Sequence, residues 1–485
     1  MKNKLNYLIL FLIILLAFLL RAYRINYSFS FSGEFGDNLL DIKNAIILKT
    51  IPLIGPPVSH PWLKFGPMYY WLMVPLMLFF KFDVLVGAWF GVVSGTLIVL
   101  INYLVIKKVF NDKVALVSSF LISFSPLWVY FSRDARFYFI TTLVFYLFLY
   151  SLWNFYENQK GLFVVGFSYS LFFHFHYSPI LLFPILAYFI FLKRDKLKLR
   201  NYLNLLIGLF IPLIPLLIYD FKNKFQMFYK LILWVPYRFA GFIGLYPKNN
   251  VSLGTLNQSL MATVEFIGKS FVYKSSLWFY VLIIFLIIFV YSIYKYLRDK
   301  KYKFGFSFIY FSLLISIFGI IVHGDVPVHY YLPVFSIPII IFSDFIVNVF
   351  ETKKSFVKGI VSGIIILCLF INVSYLLNFY KSFNENTFSV NPSFVSLELQ
   401  KQVSDFIVKD SNRLSYSLIR VGPNDQFEEY YSQNYKYLLW LSGNEPIENS
   451  SLSYTIYENL ENLSKEERKA VKMIGPIGIL KNEQK

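Results

Sequence analysis

The chain of 485 residues is 57% hydrophobic and 21% aromatic with only 15% charged residues, a composition that excludes a soluble globular protein with a polar surface. Its formal net charge of +18 comes from short basic runs between apolar stretches, which excludes a nucleic-acid-binding function. The pattern predicts an all-α polytopic membrane protein.

The apolar stretches predict about 11 transmembrane helices. The first covers residues 5–20, and because no small-residue cleavage site follows it, we expect a retained helix and not a secretory signal. The other stretches lie near residues 84–106, 114–131, 137–155, 161–176, 179–192, 202–219, 277–296, 304–322, 331–349 and 358–378.

The apolar segment 67–81 decides the orientation of everything that follows it. If it crossed the membrane, the later basic loops, including residues 193–200 and Lys353-Lys354, would lie outside. If it lies in the interface, these loops are cytoplasmic, as the positive-inside rule requires. We therefore expect juxtamembrane helices in the first loop, a cytoplasmic amino terminus and an extracytoplasmic carboxyl terminus.

Two domains are predicted. Residues 1–380 form the transmembrane domain, with long extracytoplasmic loops at about 24–83 and 220–276, and residues 381–485 form a small extracytoplasmic α/β domain. Strand-like segments of the second domain lie at 414–421, 452–457 and 474–480, and a helix-like segment lies at 429–441.

Three carboxylates follow the first helix, at Glu34, Asp37 and Asp41. Asp37 and Asp41 share one face if a helix starts there, because they are four residues apart. A carboxylate partly shielded from water can have a raised pKa and serve as a general base. Alternatively, these acids solvate a juxtamembrane helix, with Asp37 close to the N-cap position.

A second polar segment places Arg133, Arg136 and Tyr138 where the chain re-enters the membrane from outside. Arginine binds phosphate through paired, charge-assisted hydrogen bonds, so these residues are candidates for binding a lipid-linked phosphate. The alternative is an interfacial contact with ordinary phospholipid headgroups.

All five histidines lie at the ends of apolar stretches on the predicted outer face. His174 and His176 diverge on a helix and therefore do not share a metal there. The histidines and their neighbours are candidates for substrate contacts or supporting positions, and a metal or phosphate site in the 323–329 turn stays open without being predicted. These residues are His60, His174, His176, Tyr177, His323, Asp325, His329 and Tyr330.

The order of several motifs is informative: GDNLLD at 36–41, PLIGPPVS at 52–59, GPMYYW at 66–71, SP at 125–126 with FSRDARFY at 131–138, YDF at 219–221 and HYYLP at 329–333. Together they resemble the dolichyl-phosphate-mannose protein mannosyltransferase superfamily of GT-C membrane glycosyltransferases, which includes the aminoarabinose transferases of lipid A. The resemblance covers about residues 1–350.

This resemblance implies a GT-C-like fold and makes Asp37 the candidate catalytic base. The superfamily's commonest form has an adjacent Asp-Glu pair, and a variant has Arg immediately before the second Asp. This chain has neither pattern, because Leu40 precedes Asp41. Glu34 and Asp41 therefore remain alternatives to Asp37. Arg136 matches the arginine thought to meet the donor phosphate.

The implied reaction is inverting sugar transfer from a polyprenyl-phosphate donor to a lipid, glycan or protein acceptor at the outer face of the cell envelope. It requires no cofactor, and a divalent metal is not predicted. Two other functions stay open, namely a polyprenyl-linked polysaccharide polymerase or ligase and a lipid-linked sugar flippase or transporter.

Overall fold

A computed structural model describes residues 2–29, 31–58, 60, 62–134, 137–245, 253–299, 303–324, 327–381, 395–422, 430, 432–458, 460 and 467–483. Up to residue 381, the secondary-structure elements of this described part are all helices. They are α1 Lys2–Ala22, α2 Ile25–Ser28, α3 Gly33–Ile47, α4 Met68–Phe79, α5 Leu85–Val109, α6 Asp112–Phe124, α7 Pro126–Arg133, α8 Thr141–Asn158, α9 Leu162–Leu171, α10 Phe183–Lys193, α11 Leu199–Lys222, α12 Gln226–Phe242, α13 Leu253–Phe271, α14 Trp278–Asp299, α15 Lys303–His323, α16 Ile337–Glu351 and α17 Ser355–Lys381. Short 3₁₀ helices lie at Phe137–Ile140, Phe172–His174, Ser178–Leu182, Arg194–Lys196, Ser275–Leu277 and Val328–Val334.

Among the described residues, seven helices are long and apolar enough to cross a membrane, or up to nine if each of two bent helix pairs counts as one span. Phe356 and Phe370 on α17 are 80% and 68% exposed, as expected for side chains that face lipid. The all-α membrane architecture is confirmed, whereas the count of 11 crossings stays a prediction.

Helix α4 covers the segment 67–81 on which the predicted orientation depends. Its 12 residues span roughly 18 Å, less than the roughly 30 Å of a bilayer's hydrocarbon core. Tyr69, Tyr70, Met73 and Met77 pack inward on one side. The helix is therefore too short to cross, in agreement with the interfacial position that the charge pattern requires.

The bend between α6 and α7 is stabilised by the fully buried Arg21 of α1. Pro126 has no backbone N–H, so the Ile122 carbonyl lacks its usual helical donor, and the two helices meet at 62°. The Arg21 guanidinium donates to the carbonyls of Ile122 and Ser123, each at 3.4 Å. A side chain from one helix thus satisfies the carbonyls that the proline leaves open in another.

Small residues let α7 and α3 lie against α5. A Cβ at Gly91 would lie 2.7 Å from the Ser132 carbonyl oxygen, and one at Gly95 would lie 2.2 Å from the Ser132 Cβ. One turn earlier, a Cβ at Gly87 would clash with the Phe35 ring of α3. This glycine spacing, which is typical of close helix pairs in membranes, brings the first loop and the 131–138 segment to the same end of α5.

The C-terminal region is a small α/β unit whose core includes Val403, Ile407, Leu439, Tyr454 and Ile479. Its sheet has the order β1-β2-β4-β3, with β1 parallel to β2 and the other pairs antiparallel. The strands predicted at 414–421 and 452–457 are observed at 417–421 and 452–457, and the helix predicted at 429–441 is observed from residue 433. The single strand predicted at 474–480 is wrong, because residues 475 and 476 form the turn between β3 and β4. Its elements are α18 Leu397–Asp410, β1 Ser417–Val421, α19 Gln433–Leu441, β2 Leu452–Tyr457, α20 Glu467–Ala470, β3 Lys472–Ile474 and β4 Ile477–Glu483.

This α/β unit docks on α3. The Phe31 carbonyl, just before α3, accepts hydrogen bonds from Gln400 at 3.0 Å and Asn434 at 3.2 Å. At the other end of α3, Lys43 forms an ion pair with Glu445 at 2.7 Å. A Cβ at Gly36 would lie only 2.4 Å from the Asn434 backbone nitrogen, so the contact between α3 and α19 requires glycine there.

We expect Gly36→Ala to weaken this docking, because the added methyl meets backbone atoms that cannot rotate away. Overpacking of this kind costs about 1–3 kcal/mol. Gly359→Ala in α17 is the matched control, because a Cβ there meets nothing within 4 Å and gains the same helix propensity. Thermal unfolding and limited proteolysis of the purified protein measure the difference; equal melting temperatures and cleavage rates for the two variants would contradict the docking.

Candidate active site

Helix α3 presents the three first-loop carboxylates. The Ser32 side chain accepts a hydrogen bond from the Phe35 N–H at 3.3 Å and caps the helix, so the cap is Ser32 and the alternative that placed Asp37 near the N-cap is wrong. Asp37 and Asp41 instead occupy successive later turns, and Glu34 lies in the first turn.

Two buried tyrosines of α4 lie against these acids. The Tyr70 hydroxyl lies 2.9 Å from Asp41 Oδ2 and 3.1 Å from Asn38 Oδ1, and its single proton is shared between them. Loss of hydration raises the pKa of Asp41 above its ordinary value, although the Tyr70 hydrogen bond and Lys64 oppose the shift. The Asp41 side chain is nevertheless exposed on its other side, so the shielding is one-sided.

The Tyr69 ring joins the first loop to the 131–138 segment. Burial raises the pKa of Tyr69, and the negative charges of Glu34 and Asp134 raise it further. The ring also lies 5.5 Å from that of Phe137, measured between centroids. The two polar segments predicted from sequence therefore meet at Tyr69. Arg136, the candidate for the donor phosphate, lies outside the described residues.

Arg133 is buried and bonded to the end of α1. Its guanidinium donates to the carbonyls of Arg21 and Tyr23, the latter at 2.8 Å, and to the Ser28 hydroxyl, while the Tyr380 ring centroid lies 5.1 Å from its Cζ. Carbonyls at the end of a helix lack helical donors, so a guanidinium stabilises them there. These contacts favour a structural role over the phosphate contact that the sequence suggested.

Four of the five histidines gather with aromatic rings beside Tyr138. The His176 ring centroid lies 5.8 Å from that of His329 and 4.9 Å from that of Tyr330, and Tyr330 lies 5.6 Å from His323. Tyr138 stacks on His329 at 4.7 Å. His60 joins the group through Trp234, whose ring lies 6.0 Å from His60 and 5.3 Å from His323. We call these four histidines with Tyr138, Tyr330 and Trp234 the histidine–aromatic pocket.

Arg238 of α12 lies beside this pocket, and the sequence did not predict it as a site residue. Its guanidinium lies 5.2 Å from the Trp234 ring centroid, and its charge acts on both His60 and His323. Partial burial and the Arg238 charge hold the pKa of His60 below its ordinary value of 6.5. The available signal was a single arginine four residues after a tryptophan in the 220–276 loop.

A chain of aromatic contacts connects the carboxylates to this pocket. From Tyr69 it passes to Phe137, then to Phe65 at 5.3 Å, and then to His176 at 6.2 Å. Tyr177 supports this path, because its ring stacks on Phe65 at 5.5 Å and its hydroxyl donates to the Lys64 carbonyl at 2.6 Å. The α3 carboxylates and the histidines are thus separated by a wall of aromatic rings.

His174 lies apart from the other histidines. Its Nδ1 accepts from the Met68 N–H at 3.2 Å, and its Nε2 lies 2.8 Å from the Pro212 carbonyl, which requires the proton on Nε2. A Cβ at Gly66 would lie 2.2 Å from the His174 ring, which explains the glycine of the GPMYYW motif. His174 therefore joins the start of α4 to α11, a structural role.

Asp220 of the YDF motif also has a structural role. Its two carboxylate oxygens accept from the Met227 and Phe228 N–H groups at 2.8 and 2.9 Å and so stabilise the start of α12, the helix that carries Arg238. Within the described part of the chain, no group of three or more His, Cys, Asp and Glu side chains is arranged to hold a metal, and Asp325 lies outside that part.

Comparisons with known proteins support the same fold. Residues 59–219 match the family model of dolichyl-phosphate-mannose-protein mannosyltransferase, and no curated protein matches the sequence. The chain superposes on ArnT from Cupriavidus metallidurans bound to undecaprenyl phosphate with a TM-score of 0.59 at 10% identity, covering 99% of this chain and 98% of that one.

Archaeal oligosaccharyltransferases share the fold as well. The apo enzyme of Archaeoglobus fulgidus has a TM-score of 0.55 at 13% identity, and the chain covers only 64% of its length while 92% of this chain is matched. AglB of the same organism, in complex with an inhibitory peptide and a dolichol-phosphate, has a TM-score of 0.51 at 13% identity and coverages of 94% and 69%. The suspected resemblance to GT-C membrane glycosyltransferases is confirmed, and the chain is an integral membrane protein with this fold.

The two arginines of the 131–138 segment should respond differently to substitution. Arg133→Gln leaves helix-end carbonyls without donors, which costs about 1–3 kcal/mol for each unpaired group, and should lower the melting temperature. Arg136→Gln should leave the melting temperature of the unliganded protein unchanged and abolish its increase on addition of polyprenyl phosphate.

Thermal unfolding of both variants with and without the lipid measures these effects. A stable Arg133→Gln variant that no longer responds to polyprenyl phosphate would return the phosphate contact to Arg133 and contradict its structural assignment.

Proposed function

We propose that the protein transfers a sugar from a polyprenyl-phosphate donor to an acceptor at the extracytoplasmic face. The observation that carries this proposal is the position of the α3 carboxylates beside Tyr69 and Tyr70, with the histidine–aromatic pocket and Arg238 across a short aromatic wall. Sugar transfer from a phosphate needs a base for the acceptor and a cation for the leaving group, and the aromatic contacts connect the carboxylates to the group of residues that includes Arg238.

Asp37 is the proposed base. It lies one turn before Asp41 on α3, and its charge acts on the buried Tyr70 hydroxyl, so it is close to the same partly shielded region. Asp41 already shares the Tyr70 proton, and Glu34 is near Tyr69. Glu34 and Asp41 remain alternatives, and in either case the carboxylate comes from the same face of α3.

We assign the binding site of the leaving phosphate to the histidine–aromatic pocket. Arg238 supplies a permanent positive charge, and the ring N–H groups of the histidines are hydrogen-bond donors to an anion. Arg136, carried over from the superfamily pattern, is proposed as a further phosphate ligand. Tyr138 and Tyr330 would pack against the donor.

In the proposed reaction, the acceptor's hydroxyl or amine gives its proton to Asp37 as its oxygen or nitrogen attacks the anomeric carbon. The bond between that carbon and the phosphate oxygen breaks on the opposite side, and its electron pair leaves with the phosphate, so the configuration inverts. The leaving group is already an anion and needs no general acid. The cationic groups stabilise its developing charge in a poorly hydrated site.

Independent observations support the proposed donor lipid and orientation. The matched family is described by dolichyl-phosphate-mannose, and ArnT and AglB were observed with undecaprenyl phosphate and a dolichol-phosphate. The basic ends of α5 and α10, Lys107-Lys108 and Lys193, lie on loops that the positive-inside rule places in the cytoplasm. We therefore propose that the carboxylates, the pocket and the α/β unit face outward.

The base assignment predicts unequal effects of two similar substitutions. Asp37→Asn should lower label transfer from radiolabelled polyprenyl-phosphate mannose to acceptors in a membrane extract by about 10²–10⁴-fold, the usual contribution of a general base. Asp41→Asn should lower it less, because it keeps a polar partner for Tyr70. Asp405→Asn, an exposed acid of α18, is the control that should transfer normally.

Equal label transfer by Asp37→Asn and by the control would contradict the assignment of Asp37 as the base. That result, combined with failure on replacing Arg238, would favour the polysaccharide polymerase or ligase, which depends on arginine and histidine residues. Loss of transfer in Asp41→Asn alone would move the base one turn along α3.

A further inference from the structure

A cleft of about 390 Å³ lies beside the contact between α3 and the C-terminal α/β unit. Asp37, Asp41 and Asn44 form one wall. The opposite wall includes Leu418 of β1, Lys436 of α19 and the 445–448 segment before β2. Its volume lies within the roughly 300–1,000 Å³ typical of small-molecule sites.

We propose that this cleft binds the acceptor and selects a sugar that carries no negative charge. The proposal rests on the proposed function and names the acceptor class of the same site. Asp37 lies at the boundary, because it lines the cleft on one side and its charge reaches the buried Tyr70 hydroxyl on the other. Displacement with inversion requires the acceptor and the leaving phosphate on opposite sides of the anomeric carbon. The α/β unit bounds the cleft, whereas the histidine–aromatic pocket is reached through Tyr69 of α4, so the two sites contact the carboxylate region through different elements.

The charge of the cleft selects against anions. Asp37, Asp41, Glu445 and Glu448 face it with the ammonium groups of Lys43 and Lys436, and Lys43 is already paired with Glu445 at 2.7 Å. The excess of carboxylates repels a phosphorylated or carboxylated acceptor. Ionised carboxylates only accept hydrogen bonds, so the bound molecule must bring donors.

A sugar brings several hydroxyl donors in a small volume, together with C–H faces. The carboxylates and the Asn44 amide can accept and orient the hydroxyls, while Leu418, Pro446 and Ile447 provide apolar surface for the C–H groups. A serine- or threonine-containing peptide offers one side-chain hydroxyl at the reacting residue, and its other donors are mainly single backbone N–H groups spaced along the chain. The same neutral sugar can belong to a free glycan or to a glycolipid headgroup.

Glu448 is the position that tests this selectivity, because it lines the cleft outside the proposed catalytic groups. Full-length protein in lipid nanodiscs is titrated by saturation-transfer NMR with a neutral mannose disaccharide, with the corresponding aldonic acid and with a serine- and threonine-containing peptide. The wild type should bind the neutral disaccharide and not the acid. Glu448→Lys should weaken the neutral sugar about tenfold, as expected for one charge-assisted hydrogen bond, and admit the acid. Asp405→Lys is the matched charge reversal outside the cleft and should bind like the wild type.

Absence of disaccharide binding, an unchanged Glu448→Lys variant, or peptide binding that depends on Glu448 would overturn the proposal. Nanodiscs that contain a neutral glycosyl diacylglycerol show whether the bound sugar belongs to a glycolipid or to a free glycan. Competition between this lipid and the disaccharide indicates a glycolipid headgroup, and no competition indicates a free glycan. Donor consumption is measured on the same preparations. If the protein consumes the donor but Glu448→Lys does not change sugar binding, only the acceptor site is contradicted. If the protein binds the sugar but no variant consumes the donor, only the proposed function is contradicted.

Discussion

The buried arginines Arg21 and Arg133 hold the helices from which the site is built. Arg21 of α1 satisfies the carbonyls opened by Pro126, and Arg133 of α7 satisfies the carbonyls where α1 ends. Leaving a buried carbonyl of this kind without its donor costs about 1–3 kcal/mol. The first loop and the 131–138 segment start from these two ends, so their meeting at Tyr69 depends on this reciprocal contact.

Helix α3 is then fixed from both sides. Tyr70 of α4 bonds its inner face, while Gln400 and Asn434 of the α/β unit bond the Phe31 carbonyl just before it. The carboxylates therefore lie at the boundary between the membrane helices and the C-terminal unit. In our proposal the donor approaches from the first side and the acceptor from the second, which makes the C-terminal unit part of the substrate site.

The sequence predicted those features that depend on local pattern. Apolar length identified the long helices of the membrane part, and alternating residues identified strands β1 and β2 of the C-terminal unit. The interfacial position of 67–81 stays a prediction, which the short length of α4 supports. The sequence could not predict long-range partners, because an arginine such as Arg133 looks the same whether it contacts a phosphate or helix-end carbonyls. Likewise, the positions of the five histidines at the ends of apolar stretches do not reveal that His174 supports α4 while the other four group with Arg238.

A structure of the protein bound to polyprenyl phosphate, determined by electron cryomicroscopy in nanodiscs, tests the central claim most directly. The account predicts the phosphate in the histidine–aromatic pocket, within hydrogen-bonding distance of Arg238 or Arg136 and on the opposite side of Tyr69 from the α3 cleft. A phosphate bound at the basic ends of α5 or α10, with the pocket empty, would contradict it.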